Sequence, residues 1–170
     1  MKVINVEIKA ICKNLERIRR ILQARNAKYI GLDHQVDTYF RSSSGRLKLR
    51  EGNIENNLIW YQRPDQAGPK TSHCVLYKTE KETSLKAILH DAMGVMVVVD
   101  KEREIFFIEN IKIHLDRVKE LGTFLEIEAQ GEEGDKSEEL LHRQCVQLMD
   151  ELGILSEDLV KKSYSDLLLA

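Results

Sequence analysis

The chain has 170 residues, with 26 Lys plus Arg against 28 Asp plus Glu and a net charge of −2 at pH 7. With 42% hydrophobic residues and two prolines it is too apolar for intrinsic disorder and too proline-poor for a linker-rich chain. The length fits one domain, residues 1–170, and the balanced charge argues against a generic nucleic-acid binder, which carries a clear basic excess.

In chain order, Ile4, Val6, Ile8 and Ala10 alternate with Asn5, Glu7 and Lys9, which predicts a first strand. Asn14 then caps a helix whose apolar stripe is Leu15, Ile18, Ile21 and Leu22. A strand is expected at about 34–40, a turn at Ser42-Ser43-Ser44-Gly45, and a strand in which Leu47 and Leu49 alternate with Arg46, Lys48 and Arg50. After the turn at Gly52-Asn53, further strands are expected at about 56–63 and 74–80. Thr83 or Ser84 caps a short helix carrying Ile88, Leu89 and Ala92, which Gly94 stops.

A strand follows at about 95–108, then the turn Glu109-Asn110. Ile113 and Leu115 alternate with Lys112, His114 and Asp116, and Leu125, Ile127 and Ala129 alternate with Phe124, Glu126 and Glu128. A third helix begins near Ser137, with Leu140, Leu141, Leu148, Met149 and Leu152 apolar and Gly153 ending it; Ser156 starts a last short helix. The helical stripes read as ordinary packing faces. The fold class is strand-rich α+β, with helices covering a largely antiparallel sheet.

The opening segment Met1-Lys2-Val3-Ile4-Asn5-Val6-Glu7 carries no apolar run, and Val95–Val99 is far too short to cross a bilayer. Cys12, Cys74 and Cys145 form no C-x-x-C pair and read as free thiols. His34, His73, His90, His114 and His142 show no zinc spacing. A cytoplasmic protein without signal peptide, membrane contact or structural metal is expected.

The second face of the strands carries the chemistry. Glu7/Lys9, Lys48/Arg50, Lys101/Arg103, His114/Asp116 and Glu126/Glu128 are each i, i+2 pairs, so both members point to one side. One such pair is a solvated sheet face; five, on five strands, are better explained by a sheet closed into a barrel with the polar face inside. Such an interior is a wet cavity, because unpaired buried charge is prohibitively costly. Lys48, Arg50, Lys101 and Arg103 offer donors to phosphate, and Glu7, Asp116, Glu126 and Glu128 offer oxygens to Mg²⁺ or Mn²⁺. A metal-bound triphosphate suits both patches.

These residues bear a resemblance to the CYTH superfamily, the triphosphate tunnel metalloenzymes, among them class IV adenylyl cyclases, thiamine triphosphatases and inorganic triphosphatases. Asn5-Val6-Glu7-Ile8-Lys9 is similar to the family's Glu-x-Glu-x-Lys, Lys48-Leu49-Arg50 to its basic-x-basic strand, and Lys101-Glu102-Arg103 to its downstream Lys-x-Arg. Ile113 to Val118, followed by Leu121-Gly122-Thr123-Phe124-Leu125-Glu126-Ile127-Glu128, is similar to the Asp-then-Gly-x-Phe-x-Glu-x-Glu signature. Ser163-Tyr164-Ser165-Asp166-Leu167-Leu168 resembles the cyclase-like branch. The matches run in order over nearly the whole chain.

The resemblance implies an eight-stranded antiparallel β-barrel (a triphosphate tunnel) with helices packed outside. It also implies roles: Glu7, Asp116, Glu126 and Glu128 at the metal, and Lys9, Arg50, Lys101 and Arg103 in catalysis and phosphate binding. Lys48, Arg63 and His114 join them at the substrate, while Lys78 is assigned to the surface. Asn5 stands where the family has a glutamate, which keeps an oxygen ligand and loses a charge, and Lys48 stands where arginine is usual. The implied reaction is adenylyl cyclase-like, ATP to cyclic AMP and pyrophosphate. The alternatives are hydrolysis of thiamine triphosphate or inorganic tripolyphosphate, and triphosphate binding without catalysis. The expected partner is the small-molecule triphosphate, with no nucleic acid and no membrane, and with self-association into a homodimer left open.

Overall fold

The computed structural model describes all residues from Met1 to Ala170. Its elements are β1 (Lys2–Ile11), α1 (Leu15–Ala24), β2 (Lys28–Phe40), β3 (Arg46–Gly52), β4 (Asn57–Gln62), β5 (Lys70–Lys78) and α2 (Leu85–Met93). They continue with β6 (Val95–Ile108), β7 (Ile111–Val118), β8 (Gly122–Glu132), α3 (Glu138–Glu151), a single 3₁₀ turn (Ser156–Asp158) and α4 (Tyr164–Leu169). The eight strands close into a barrel in the order β1-β5-β4-β3-β2-β6-β7-β8, and every neighbouring pair is antiparallel.

Alternation decides which side chains meet. On β1, β7 and β8 the apolar sets Val6/Ile8/Ala10, Ile111/Ile113/Leu115 and Leu125/Ile127/Ala129 point outward and are buried under α1 and α3. Those helices answer with Leu15, Ile18 and Leu22, and with Leu141, Cys145, Leu148 and Leu152. Each fully buried Leu or Ile contributes about 1.5–3 kcal/mol relative to leaving it in water. The helices start where capping oxygens permit: Asn14 Oδ1 accepts from Arg17 N at 3.0 Å, and Ser137 Oγ accepts from Leu140 N at 3.2 Å.

A second apolar cluster lies inside one end of the barrel: Tyr39, Ile59, Tyr61, Val99, Val118, Phe124 and Tyr164. Tyr164 belongs to α4, whose first turn is closed by a capping box between Ser163 and Asp166. α4 therefore stoppers an end of the barrel, while α1 and α3 cover its wall.

The structure departs from the sequence expectations at four places. β2 starts at Lys28, because Gly31, at φ 148°, sits at a bulge that interrupts the alternation between Tyr29 and Leu32. β5 starts at Lys70, where Thr71, Ser72 and His73 are polar on both faces and hide the strand. Ser156 starts only the 3₁₀ turn; Val160 N then donates to Lys9 O at 2.8 Å, which holds the chain extended until Ser163. The stripe of α2 is not a packing face, since none of its residues is buried and Ile88 is 60% exposed. No helix is long and apolar enough to cross a membrane.

Candidate active site

The barrel encloses a chamber of about 410 Å³, and all eight strands contribute side chains to its wall. One mouth is formed by Met1, Asn57, Asn110, Lys112 and Glu132, and the opposite end is closed by Ser163 and Tyr164. Of the residues expected here, Glu7, Lys9, Lys48, Arg50, Arg63, Lys101, Arg103, His114, Glu126 and Glu128 all line the chamber. Asp116 lies behind them, fully buried against Arg103.

The cations do not float free. Asp37, an inward residue of β2, accepts both Arg50 Nε and an Arg50 terminal nitrogen at 2.9 Å, Lys101 Nζ at 2.8 Å and Lys48 Nζ at 3.1 Å. Burial alone would raise the Asp37 carboxyl, but Arg50, Lys101 and Lys48 outweigh it and hold it well below the usual range. Burial pushes the Lys101 ammonium down to about 7; Asp37 opposes this, and Arg50 and Arg103 add to it. Asp37 was not foreseen, although Gln35 and Asp37 form another i, i+2 polar pair within the expected strand.

A second network surrounds Glu126. Arg103 donates two bonds to Asp116, at 2.7 and 2.6 Å, and one to Glu126 at 2.8 Å. The Tyr164 hydroxyl donates to Asp116 at 2.7 Å, so both oxygens of Asp116 are engaged. Lys9 Nζ stands 3.0 Å from Glu126 and 3.9 Å over the centre of the Tyr164 ring. Burial would raise Glu126, but Lys9 and Arg103 hold it well below its ordinary value. Glu7 lies opposite Glu128 in the β1–β8 register and is ion-paired with Arg63. Burial raises its carboxyl, Arg63 opposes, and Glu128 and Glu126 add to the rise.

His114, Glu126 and Glu128 offer ligand atoms that all lie within 4.8 Å of one another. Burial, reinforced by Arg103, lowers the His114 pKa, against the pull of Glu128 and Glu126. Three buried polar atoms on chamber-lining residues have no partner: His114 Nε2, Asn5 Oδ1 and Arg63 Nε. An unpaired buried group costs about 1–3 kcal/mol, so these atoms mark the chamber as built for a further polar ligand. Two carboxylates, an amide oxygen and an imidazole form a donor set that fits a divalent cation.

The mouth contains a pair that the sequence reading missed. Glu55, in the β3–β4 turn, reaches back to Arg50 at 3.2 Å and forms an ion pair with Lys112. Its backbone is pinned by buried Asp33, which accepts Ile54 N at 2.9 Å and Glu55 N at 3.0 Å. Gly52 leaves the space for this, since a Cβ there would stand 2.8 Å from Asp33. Lys112 shares its face with His114 and Asp116, a signal the sequence did carry, whereas nothing local announces Glu55. On β5 the inward lysine is Lys70, whose amine donates to the carbonyls of Gln66, Val160 and Lys161, while Lys78 is exposed as expected.

Comparison with known proteins agrees with this geometry. The family model for the CYTH domain matches residues 3–164. A candidate adenylate cyclase of Methanocaldococcus jannaschii is 27% identical, over 97% of this chain and 98% of its own. A solved protein of Pyrococcus horikoshii superposes with a TM-score of 0.80 at 25% identity, covering 96% of this chain and 98% of its own. A solved candidate adenylate cyclase of Vibrio parahaemolyticus gives a TM-score of 0.77 at 20% identity, with 98% of both chains covered.

Proposed function

We infer, from the premise that this chain belongs to the CYTH domain family, that its chamber binds a triphosphate with a divalent metal ion and breaks one of its phosphoanhydride bonds. The observation that carries this reading is the meeting of Lys9, Lys48, Arg50, Arg63, Lys101 and Arg103 with the Glu126/Glu128/His114 group in one buried chamber. Without ligand these cations are neutralised by carboxylates of the chain itself. Binding would then be an exchange of partners: Lys9, Arg63 and Arg103, paired here with Glu126 and Glu7, would turn to phosphate oxygens and leave those carboxylates free to hold the cation.

Glu126 and Glu128, with Glu7 beside them, would hold Mg²⁺ or Mn²⁺, and the ion would supply positive charge to offset that of the phosphates. Lys9, Arg50, Lys101 and Arg103 would stabilise the charge that develops on the transferring phosphoryl oxygens, and Lys48 and Arg63 would fix the chain of phosphates. Asp116, held between Arg103 and Tyr164, orients Arg103.

Hydrolysis is the reaction this chamber favours. Its aromatic wall residues, Tyr39, Tyr61 and Tyr164, crowd the closed end, while the open mouth presents Met1, Asn57, Asn110, Lys112 and Glu132. A base at that mouth finds no ring to stack on, whereas a bare polyphosphate needs none. Inorganic tripolyphosphate is therefore the substrate of first choice. The name of the Methanocaldococcus relative favours a second reading, attack of the ATP ribose 3′-oxygen on the α-phosphorus with release of pyrophosphate. The free thiols Cys12, Cys74 and Cys145 suit a reducing compartment, and we place the reaction in the cytoplasm.

Purified protein with Mg²⁺ or Mn²⁺, offered tripolyphosphate, thiamine triphosphate and ATP, decides among these. Phosphate release supports hydrolysis, and cyclic AMP with pyrophosphate supports cyclisation. Tight binding with neither product leaves a binding module.

A further inference from the structure

One imidazole stands among the carboxylates and cations of the chamber wall. His114 sits in mid-β7, 1% exposed, directly across the β7–β8 ladder from Glu126. Its Nδ1 stands 3.2 Å from Glu126 Oε2 and 3.7 Å from Glu128 Oε1. Neighbouring ligands of an ion bound at about 2.1 Å stand about 3 Å apart, so a shared cation fits this spacing with little movement. Asn5 supplies an independent sign: it is 8% exposed, lines the same chamber from β1, and its Oδ1 has no partner.

We propose that His114 is a nitrogen ligand of the divalent-cation site it shares with Glu126 and Glu128, and that this donor makes the site select a transition-metal ion over Mg²⁺. The proposal rests on the metal-dependent reading of the chamber and names the metal class. Mg²⁺ is hard and dehydrates reluctantly, so it depends on negative oxygen ligands. Here Glu126 is shared with Lys9 and Arg103, Glu7 with Arg63, and Asn5 is neutral. Glu128 alone keeps a carboxylate that no lysine or arginine shares, so the electrostatic pull on Mg²⁺ is reduced. An imidazole adds a bond whose strength rises from Mn²⁺ through Co²⁺ along the first-row series, and that bond is the one Mg²⁺ gains least from.

Pulsed electron paramagnetic resonance of the wild-type protein loaded with one equivalent of Mn²⁺ tests the bond directly. A ¹⁴N modulation from a bound imidazole is expected, and its loss in His114→Asn assigns it. In calorimetric titrations without triphosphate, Co²⁺ should bind about 100-fold more tightly than Mg²⁺. His114→Asn should weaken Co²⁺ about tenfold or more while moving Mg²⁺ about threefold or less. A wild-type spectrum without nitrogen coupling overturns the proposal, as does an equal fall for both metals in the variant. Should His114→Asn not fold, the wild-type spectrum decides alone. Tripolyphosphate binding in EDTA is scored separately: its absence sinks the triphosphate reading and leaves the nitrogen ligand standing.

Discussion

Asp37 holds Arg50 in a two-pronged ion pair, both N–O distances being 2.9 Å, at a depth where each residue is nearly sealed from water. The same carboxylate also receives Lys101 and Lys48, so one anion organises three of the cations assigned to phosphate. Buried ion pairs gain little net stability over apolar packing, yet breaking one is costly because the survivors stay buried and unpaired. Asp37 thus acts as a placeholder: it keeps mutually repelling cations in position for an anion that arrives later.

Asp37→Asn removes that placeholder. A loss of about 3–5 kcal/mol of stability is expected from the uncompensated charge, read as a lower urea midpoint. Saturating tripolyphosphate should restore part of it, because a ligand that binds only the folded state adds stability by mass action. An unchanged midpoint would mean that the cations are not held by Asp37.

Glu128→Gln separates metal binding from folding. Its carboxylate is part of the candidate metal group and bears no ion pair to a lysine or arginine. Metal-dependent turnover should fall about 100-fold or more, with circular dichroism and thermal midpoint near wild type. Turnover that survives would remove Glu128 from the site.

Glu55 and Arg50 should respond in opposite directions. Glu55 occupies Arg50 and Lys112 and must give way to a phosphate chain, so Glu55→Gln is expected to tighten tripolyphosphate binding by about three- to tenfold. Arg50→Ala should weaken it by tenfold or more, about 1.4 kcal/mol. Calorimetry on both variants checks the pair, and a Glu55→Gln variant that binds more weakly would make Glu55 part of the ligand site.

Lys101 makes binding sensitive to pH. Its folded pKa, about 7, lies below the ordinary lysine value, so the unfolded chain binds the proton more tightly. The sign follows: this group's contribution to stability rises with pH above about 7, as the penalty for burying a charged ammonium is relieved. Phosphate binding asks for the protonated form, so affinity should fall between pH 7 and 9, by at most about tenfold per unit. Titrations in buffers of different ionisation enthalpy should register proton uptake, and Lys101→Arg should abolish it. A wild-type affinity whose pH dependence matches that of Lys101→Arg would refute the assignment.

Tyr164→Phe tests the closed end. The lost hydroxyl leaves Asp116 Oδ2 with Arg103 alone, and about 1.5–3 kcal/mol of stability should go with a hydrogen bond to a charged group. Thermal unfolding measures it, and a shift within error would show that Arg103 satisfies Asp116 unaided.

Much of the barrel could be read locally because a strand has a period of two. Glu7 and Lys9 were bound to share a face with each other and to oppose Val6 and Ile8, whatever the strand's neighbours, so the candidate site residues were legible wherever alternation was unbroken. It failed where that signal was broken: at Gly31, where a bulge resets the period, and at Thr71 to His73, where both faces are polar. The start of the last helix, expected at Ser156 and found at Tyr164, was hidden for another reason, since Val160 pairs with Lys9 across the whole chain and holds the intervening segment extended.

By itself the sequence determined the side of each strand that carries charge, and with it the two surfaces, one wet and one apolar, that a closed barrel must separate. Only the tertiary structure decided which charges meet. Arg50 and Lys101 are far apart in the chain and reach Asp37 from two strands that flank β2, Glu55 swings in from a turn, and Tyr164 enters from the last helix. Pairing across a barrel depends on strand order, register and depth of burial, and these are set by contacts between segments distant in sequence rather than by the period of any one strand.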